Sequence, residues 1–408
     1  MEYFDRIVDR RGSDSYKWDE GESRSGDVIP MWVADMDFRT APCIIEALHK
    51  RVEHGIFGYT SVPDSYYDAV TAWFARRHGW NISREWIQYT TGVVPAISAT
   101  IKALAQPGDE VIVQTPVYNC FFSSIRNNGC SIVRSPLKQV RAEDGQASYA
   151  MDFADLESRC ASPRARILLL CNPHNPAGRV WSRGELARVG EICRRHGVVV
   201  VSDEIHCEIV MPRSRYVPFA SVSEDNLRCS VTLCSPSKSF NTAGLQIANI
   251  ITCNADWAAA INRAININEI CDVNPFGVIA LQAAYGVPGS ERYPVGPGEE
   301  WLDGMNAAVW ENYCMMRELF GRELPSLDLY RLEGTYLAWV DCRPIIATGR
   351  VTGGEAVEEY LLQHHRVWVN AGDMYGDPSF IRVNLACPSS VAAEGLRRIV
   401  AGLRELLG

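Results

Sequence analysis

The chain has 408 residues, of which 47% are apolar and 22% are charged, which is typical of a globular protein with more than one domain. Its formal charge of −9 and its isoelectric point near 5.5 argue against the large basic face that a nucleic acid would require. A small-molecule partner is therefore favoured.

The amino terminus is charged from its second residue and lacks the apolar core of a signal peptide. The longest apolar runs, such as residues 167–171 and 198–201, are far too short to cross a bilayer. These features predict a cytoplasmic protein with no membrane partner.

Residues 29–38 form an apolar stretch that is interrupted by two carboxylates, Asp35 and Asp37. In an extended chain, side chains two positions apart point to the same side. The segment is interpreted either as a capped loop or as one wall of a cleft.

Thr40 is predicted to cap a helix over residues 42–54, which the loop 55–59 then ends. This loop has two glycines and finishes on the aromatic hydroxyl of Tyr59. It either presents Tyr59 to something outside its own core or packs the ring locally, and the loop alone favours local packing.

A strand near residues 86–89 leads through Gly92 into a helix that opens at Val93 and Val94. Such a junction places free backbone N–H groups at the positive end of a helix, where an anion can bind. Glycine turns are common, so this signal is weak by itself.

Strands and helices then alternate, which predicts a mostly parallel sheet that helices cover on both faces. In open sheets of this kind, ligands bind at the carboxyl ends of the strands. Strands are predicted near residues 110–114, 131–134, 166–171, 198–202, 230–234 and 247–252, and helices near 63–77, 118–127, 152–160 and 183–196.

Four side chains follow strands of this sheet. Tyr118 can stack on an aromatic ring, Asn175 can donate to a phenolate oxygen, and Asp203 can hold a protonated ring nitrogen. Lys238 is the candidate nucleophile, because apolar walls can lower its pKa and free its amine to form a Schiff base with a carbonyl. The ordinary alternatives are a core tyrosine, a turn asparagine, a helix-capping aspartate and an exposed lysine. Because four such side chains are predicted at the same edge of the sheet, the functional interpretation is favoured over four independent ordinary roles.

Two serines, Ser235 and Ser237, flank Lys238 and offer hydroxyl groups suited to a phosphate. A lysine amine beside a phosphate site suggests pyridoxal 5′-phosphate, PLP. The fourteen cysteines are scattered through apolar segments, with no Cys-x-x-Cys pair and no zinc-type histidine spacing. They are interpreted as reduced core residues, and no metal is predicted.

The carboxy-terminal part is predicted to begin with a loop at 289–300 and a long helix at 301–322. Strands near 336–340, 367–370 and 380–384 and helices near 354–364 and 390–407 then predict a small α+β domain. The expected division is a large domain over 41–286 and a small one formed by 1–40 and 287–408. Arg382, within an apolar strand, forms either a structural salt bridge or a bidentate contact with a substrate carboxylate.

Three motifs occur in the order and spacing of one superfamily: Asn-Pro-His-Asn-Pro-Ala-Gly at 172–178, Ser-Asp-Glu at 202–204 and Ser-Pro-Ser-Lys at 235–238. On these motifs the chain resembles the fold-type-I PLP enzymes of the class I/II aminotransferase superfamily. The strings at 31–38, 55–59, 203–206 and 238–241 are similar to those of the MalY/PatB group of cystathionine β-lyases, or C–S β-lyases. The resemblance implies an α/β, PLP-dependent transferase-like fold.

The resemblance also implies roles for individual residues. Lys238 would attach PLP and later move the Cα proton of the substrate. The other cofactor contacts would be made by Gly92, Val93, Val94, Tyr118, Asn175, Asp203, His206, Ser235 and Ser237, with Tyr59 arriving from the second subunit of a homodimer. The substrate would be bound by Asp35, Asn175 and Arg382.

Two positions depart from the wider aminotransferase pattern. Gln246 replaces a phosphate-binding arginine, and His206 replaces a tyrosine. Without that arginine, roughly half a charge at a helix end and neutral donors remain for the phosphate. Both departures resemble the β-lyase group.

The implied activity is β-elimination from L-cystathionine or a related cysteine S-conjugate, giving pyruvate, ammonia and a thiol. The alternative is an aminotransferase that uses an amino acid and a 2-oxo acid, because a tenfold bias between the two routes takes only about 1.4 kcal/mol. A third hypothesis is a ligand-sensing protein that keeps the fold without turnover.

Overall fold

The computed structural model describes residues 3–267 and 272–408. A seven-stranded sheet, here called the large sheet, forms its centre, and all of its strands except Ala248–Ile251 run in the same direction. The strand order is Ile87–Thr90, Ala248–Ile251, Ser230–Cys234, Val199–Asp203, Ala165–Cys171, Glu110–Val113 and Ser131–Arg134. The predicted, mostly parallel sheet is confirmed.

Side chains along the central strands alternate between two buried faces. Leu168 and Leu170 pack on the side of the helix Arg183–His196, whereas Ile167 and Leu169 pack on the side of the helix Val93–Leu104. Burial on both faces explains why these strands are continuous apolar runs. Charged side chains of the central strands are therefore found near the strand ends, as Asp203 is.

Three smaller sheets complete the strands. The small sheet has the order Leu337–Asp341, Phe380–Asn384 and Asn370–Ala371, all antiparallel. Ile29–Pro30 pairs with Val367–Trp368 in parallel, and Lys138–Arg141 forms a hairpin with Ala147–Ala150. The amino-terminal segment therefore joins the carboxy-terminal part, while the domain boundaries stay a prediction.

The helices agree with the prediction at most positions, but several were not predicted. Those that were not predicted include Trp18–Ser25, Ala255–Asn266 and Pro275–Tyr285. The α-helices are Trp18–Ser25, Pro42–His54, Asp64–His78, Val93–Leu104, Asn119–Asn127, Phe153–Cys160, Arg183–His196, Glu224–Arg228, Pro236–Ser239, Ala255–Asn266, Pro275–Tyr285, Pro297–Glu323, Arg343–Ile346, Gly354–His365 and Ser389–Leu407.

Two local predictions are wrong. The long helix begins at Pro297 rather than at residue 301, because proline is favourable at the first position of a helix, where its missing N–H is not needed. Thr40 does not cap the helix Pro42–His54. Ala41 precedes that helix, and the Thr40 hydroxyl donates instead to the carbonyl of Phe240 at 2.6 Å.

Within the described part of the chain, no helix is both long and apolar enough to span a membrane. The cytoplasmic location stays a prediction. The cysteines in the described ranges are free thiols, and most are buried, as expected of reduced core residues.

Candidate active site

A cavity of about 200 Å³ lies at the carboxyl ends of the central strands of the large sheet. The predicted residues Gly92, Val93, Val94, Tyr118, Asn175, Asp203, His206 and Lys238 all line it. The remaining lining residues are Ala34, Pro95, Cys171 and Ile205.

The sheet itself brings these side chains together. Asp203 is the last residue of its strand, and Asn175 lies in the turn that follows the neighbouring strand Ala165–Cys171. Lys238 lies in the short helix Pro236–Ser239, directly after the strand on the other side. Because three adjacent parallel strands end at the same edge, residues far apart in sequence meet there.

Lys238 is partly buried, and its amine donates to the backbone carbonyl of Ala34 at 2.6 Å. Burial lowers the pKa of this amine from 10.5 to about 8, and the carboxylate of Asp35 opposes that shift. Both the ammonium and the free amine are therefore accessible near neutral pH.

Asp203 is a buried carboxylate that accepts a hydrogen bond from the backbone N–H of Ile205 at 3.1 Å. Burial raises its pKa from 3.8 to about 7, because a charge is poorly solvated there. The ionised form of this group would be stabilised by a cation placed in the cavity.

Arg382 connects the small sheet to this cavity. Its Nη1 donates to the side-chain oxygen of Asn175 at 3.1 Å, and its Nη2 donates to the carbonyl of Trp32 at 2.9 Å. Its guanidinium also lies over the ring of Tyr375, at 4.6 Å from the ring centre. Within the described residues, the Nε of Arg382 is buried and has no hydrogen-bond partner.

His206 and Tyr118 stay uncharged. Burial, reinforced by the positive charges of Lys238 and Arg382, lowers the pKa of His206 to about 3. Burial likewise raises the pKa of the Tyr118 hydroxyl. The Nδ1 of His206 is buried, and no hydrogen-bond partner for it occurs in residues 3–267 or 272–408.

The serines beside Lys238 hold the local backbone. The Ser235 hydroxyl donates to the carbonyl of Ile247 at 2.6 Å and accepts from the N–H of Ser237 at 3.0 Å. Ser235 thereby caps the short helix that carries Lys238. Gln246 lines a second cavity of about 250 Å³, together with residues that include Thr90 and Thr91.

Among the described residues, the lining of the cavity lacks five predicted site residues: Ser235, Ser237, Arg382, Asp35 and Tyr59. The Asp35 carboxylate does not line the cavity but accepts from Arg10 at 2.8 Å. Tyr59 is 96% exposed in the loop that follows the helix Pro42–His54. The same-side arrangement expected of the Asp35 and Asp37 carboxylates is observed, since both accept from Arg10.

Sequence reasoning missed several residues of the site. Cys171 is the last residue of its strand, and Ile205 lies two residues after the strand-end residue Asp203, so the strand ends themselves indicate both positions. Ala34 contributes its carbonyl oxygen, which accepts from Lys238 and also from the Tyr336 hydroxyl at 2.9 Å. A backbone acceptor leaves no mark on residue type, although the interpretation of 29–38 as a cleft wall pointed to its segment.

The family model for aminotransferase class I and II matches residues 26–399. Cystathionine beta-lyase PatB of Bacillus subtilis (strain 168) is 39% identical over 404 residues, which cover 98% of this chain and 99% of that protein. Protein MalY of Escherichia coli (strain K12) is 31% identical over 409 residues, with 99% of each chain covered. The crystal structure of the PLP-bound C-S lyase from Staphylococcus hominis superposes with a TM-score of 0.88 at 32% identity, covering 98% of both chains.

Proposed function

The chain belongs to the aminotransferase class I and II family and, within it, to the cystathionine β-lyase group of PatB and MalY, and we propose that it is a PLP-dependent C–S β-lyase. It cleaves L-cystathionine or related cysteine S-conjugates to pyruvate, ammonia and a thiol. The observation that carries this proposal is the convergence of Lys238, Asp203 and Asn175 on one cavity, with Arg382 bonded to Asn175.

The residues around the cavity fit PLP. The buried Asp203 carboxylate suits a protonated ring nitrogen, because the cation would supply the stabilisation that burial removes. The buried His206 Nδ1, which lacks a partner in the described part of the chain, suits a polar atom of a bound group. When bound, PLP supplies an electron-accepting ring that stabilises negative charge at the substrate Cα.

Lys238 provides the attachment point for the cofactor and the base. An amine with a pKa of about 8 accepts a proton readily near neutral pH and returns it without a large barrier. Lys238 therefore takes the Cα proton, after which the sulfur substituent leaves the β-carbon of the substrate. The Ala34 carbonyl, 2.6 Å from the Lys238 Nζ, stabilises the ammonium that results.

Arg382 and Asn175 bind the α-carboxylate of the substrate. The guanidinium already points its Nη1 at Asn175 and has its Nε free of partners in the described ranges. A planar fork of this kind matches a carboxylate in two-point contact, which fixes the orientation of the Cα–H bond.

The phosphate of PLP is assigned to the N–H groups of Gly92, Val93 and Val94, with the hydroxyls of Ser237 and, once it turns away from the Ile247 carbonyl to which it donates, Ser235. The first three line the cavity at the start of the helix Val93–Leu104, whose dipole favours an anion. Since Gln246 is neutral, this arrangement binds the phosphate mainly through dipoles and hydrogen bonds.

The enzyme is a homodimer in this proposal, and Tyr59 reaches the phosphate site of the second subunit. Support comes from the exposed loop around Tyr59, in which Ile56 is 67%, Phe57 54% and Tyr59 96% exposed. Neighbouring large apolar side chains at a surface are typical of an interface. A two-fold axis would cover both copies of the loop.

The proposal is tested with purified, PLP-loaded protein and L-cystathionine, following pyruvate and free thiol with and without 2-oxoglutarate. Repeated formation of both products without the 2-oxo acid is expected. Turnover that requires 2-oxoglutarate and yields glutamate would replace the lyase with an aminotransferase. Binding without either product would favour the ligand-sensing hypothesis.

A further inference from the structure

A cluster of four charges joins the amino-terminal segment to residues 35–37. Arg10 donates to the Asp35 carboxylate at 2.8 Å, to Asp37 at 2.7 Å and to the Met36 carbonyl at 3.0 Å. Lys17, whose side chain is only 1% exposed, donates to Asp37 at 2.8 Å and to the Asp35 carbonyl at 3.3 Å. The two cations and two carboxylates balance one another.

Two of the four charged groups, Lys17 and Asp37, are buried, and burying charges is costly, so the presence of the cluster is informative. A buried ion pair often contributes no more stability than apolar residues of the same size would. What such a network does fix is geometry, because each carboxylate is bound from two directions. Asp37, for example, accepts from Arg10, from Lys17 and from the indole N–H of Trp18 at 2.8 Å.

Residues 32–36 also contact the side chains of the proposed active site. The carbonyl of Trp32 accepts from Arg382 at 2.9 Å, and the carbonyl of Ala34 accepts from Lys238 at 2.6 Å. Asn241, three residues after Lys238, donates to Met36 at 3.0 Å and accepts from the Met36 N–H at 3.1 Å. Residues 32–37 therefore contact Arg10 and Lys17 on one side and, on the other, the two groups assigned to proton transfer and carboxylate binding.

We propose that Arg10 and Lys17 are positioning residues of this enzyme, which hold Asp35 and Asp37 and thereby place the backbone carbonyls that orient Lys238 and Arg382. This inference rests on the proposed function, since it takes the roles of Lys238 and Arg382 from it. Neither Arg10 nor Lys17 touches the substrate in this proposal. If residues 32–37 shift, the carbonyl groups that accept from Lys238 and from Arg382 move together.

The test compares Arg10→Gln with Arg11→Gln. Arg11 is the next residue of the same segment, but it pairs with the exposed Asp27 at 3.3 Å and makes no contact with Asp35 or Asp37 among the described hydrogen bonds and ion pairs. Each PLP-loaded protein is titrated with L-alanine, which has the α-amino and α-carboxylate groups of the substrate but no leaving group. The dissociation constant is read from the change in PLP absorbance, and the melting temperature is measured in parallel.

The dissociation constant for L-alanine is expected to rise at least about tenfold in Arg10→Gln and to stay at the wild-type value in Arg11→Gln. An unchanged constant in Arg10→Gln, with only a lower melting temperature, would overturn the proposal and leave the cluster a purely stabilising feature. If Arg10→Gln does not fold, Arg10→Lys decides in the same way, because it keeps the charge but loses the fork to both carboxylates. A wild type that binds L-alanine but releases no pyruvate from L-cystathionine would overturn the lyase function, while the titration would still decide the positioning role.

Discussion

Arg382 of the small sheet donates to the side-chain oxygen of Asn175, in the turn after a strand of the large sheet, at 3.1 Å. Because this bond occupies the amide oxygen, Asn175 offers its NH₂ group to the opposite side, where only an acceptor can be bound. The proposed contacts with the substrate carboxylate and with the cofactor ring oxygen are therefore linked through one side chain.

Replacing Arg382 with lysine should weaken substrate binding more than it slows turnover. Lysine keeps the charge but cannot form the planar, two-point contact with a carboxylate. We expect the KM for L-cystathionine to rise at least about tenfold, which corresponds to about 1.4 kcal/mol. Steady-state kinetics of pyruvate release test this, with the exposed Arg164→Lys as control. Equal KM values in both variants would contradict the role of Arg382.

Replacing Lys238 with alanine should remove steady-state β-elimination. General acid–base catalysis contributes about 10²–10⁴-fold, so we expect a loss of at least that size together with loss of the lysine-bound PLP absorbance. Lys102→Ala, which removes an exposed lysine, serves as control. A ligand-sensing protein would instead keep its binding role after Lys238→Ala, and that result would argue against the enzyme.

In the protein without PLP, the raised pKa of Asp203 predicts that removal of its carboxyl group stabilises the fold at neutral pH. Burial raises this pKa from 3.8 to about 7, so the stabilisation by the bound proton is complete below the unfolded pKa and is lost as the pH rises through 7. PLP-free Asp203→Asn should therefore become more stable than the wild type above this pH, by on the order of 4 kcal/mol. Urea denaturation between pH 4 and pH 8 measures the difference, which should grow with pH.

The same Asp203→Asn substitution should have the opposite consequence for the loaded enzyme. An amide cannot replace the charge-assisted bond to a protonated ring nitrogen, so turnover should fall about tenfold to a hundredfold. Parallel stability curves for the two PLP-free proteins, or full activity of the loaded variant, would each contradict the role of Asp203.

The proposal that two subunits share each active site can be tested by mixing two impaired variants. Each proposed site takes Lys238 from one subunit and Tyr59 from the other. A dimer of one Tyr59→Ala and one Lys238→Ala subunit therefore has one site with both residues intact and one site that lacks both. After subunit exchange, activity should rise toward about a quarter of the wild-type value, because half of the dimers are hybrids. No recovery, with exchange verified by a tagged subunit, would place Tyr59 outside the partner's site.

Two local predictions differ from the structure because local signals have more than one meaning. Pro297 lies within the predicted loop 289–300, yet it begins a helix, since only the first turn of a helix tolerates a missing N–H. Thr40 had the right type for a cap, but the carbonyl of Phe240, 200 residues away in the chain, binds its hydroxyl instead. The competing partner in the second case is visible only after folding.

The sequence by itself determined the sheet, the strand ends and the polar residues that line the cavity. Apolar runs buried on both faces leave charged side chains near the strand ends, and parallel strands end at one edge. Only the tertiary structure decided that Lys238 binds the carbonyl of Ala34 and that Arg10 binds Asp35 and Asp37. The physical reason is that such contacts depend on how distant segments pack. Every residue has the same backbone carbonyl, so residue type cannot reveal which one becomes an acceptor.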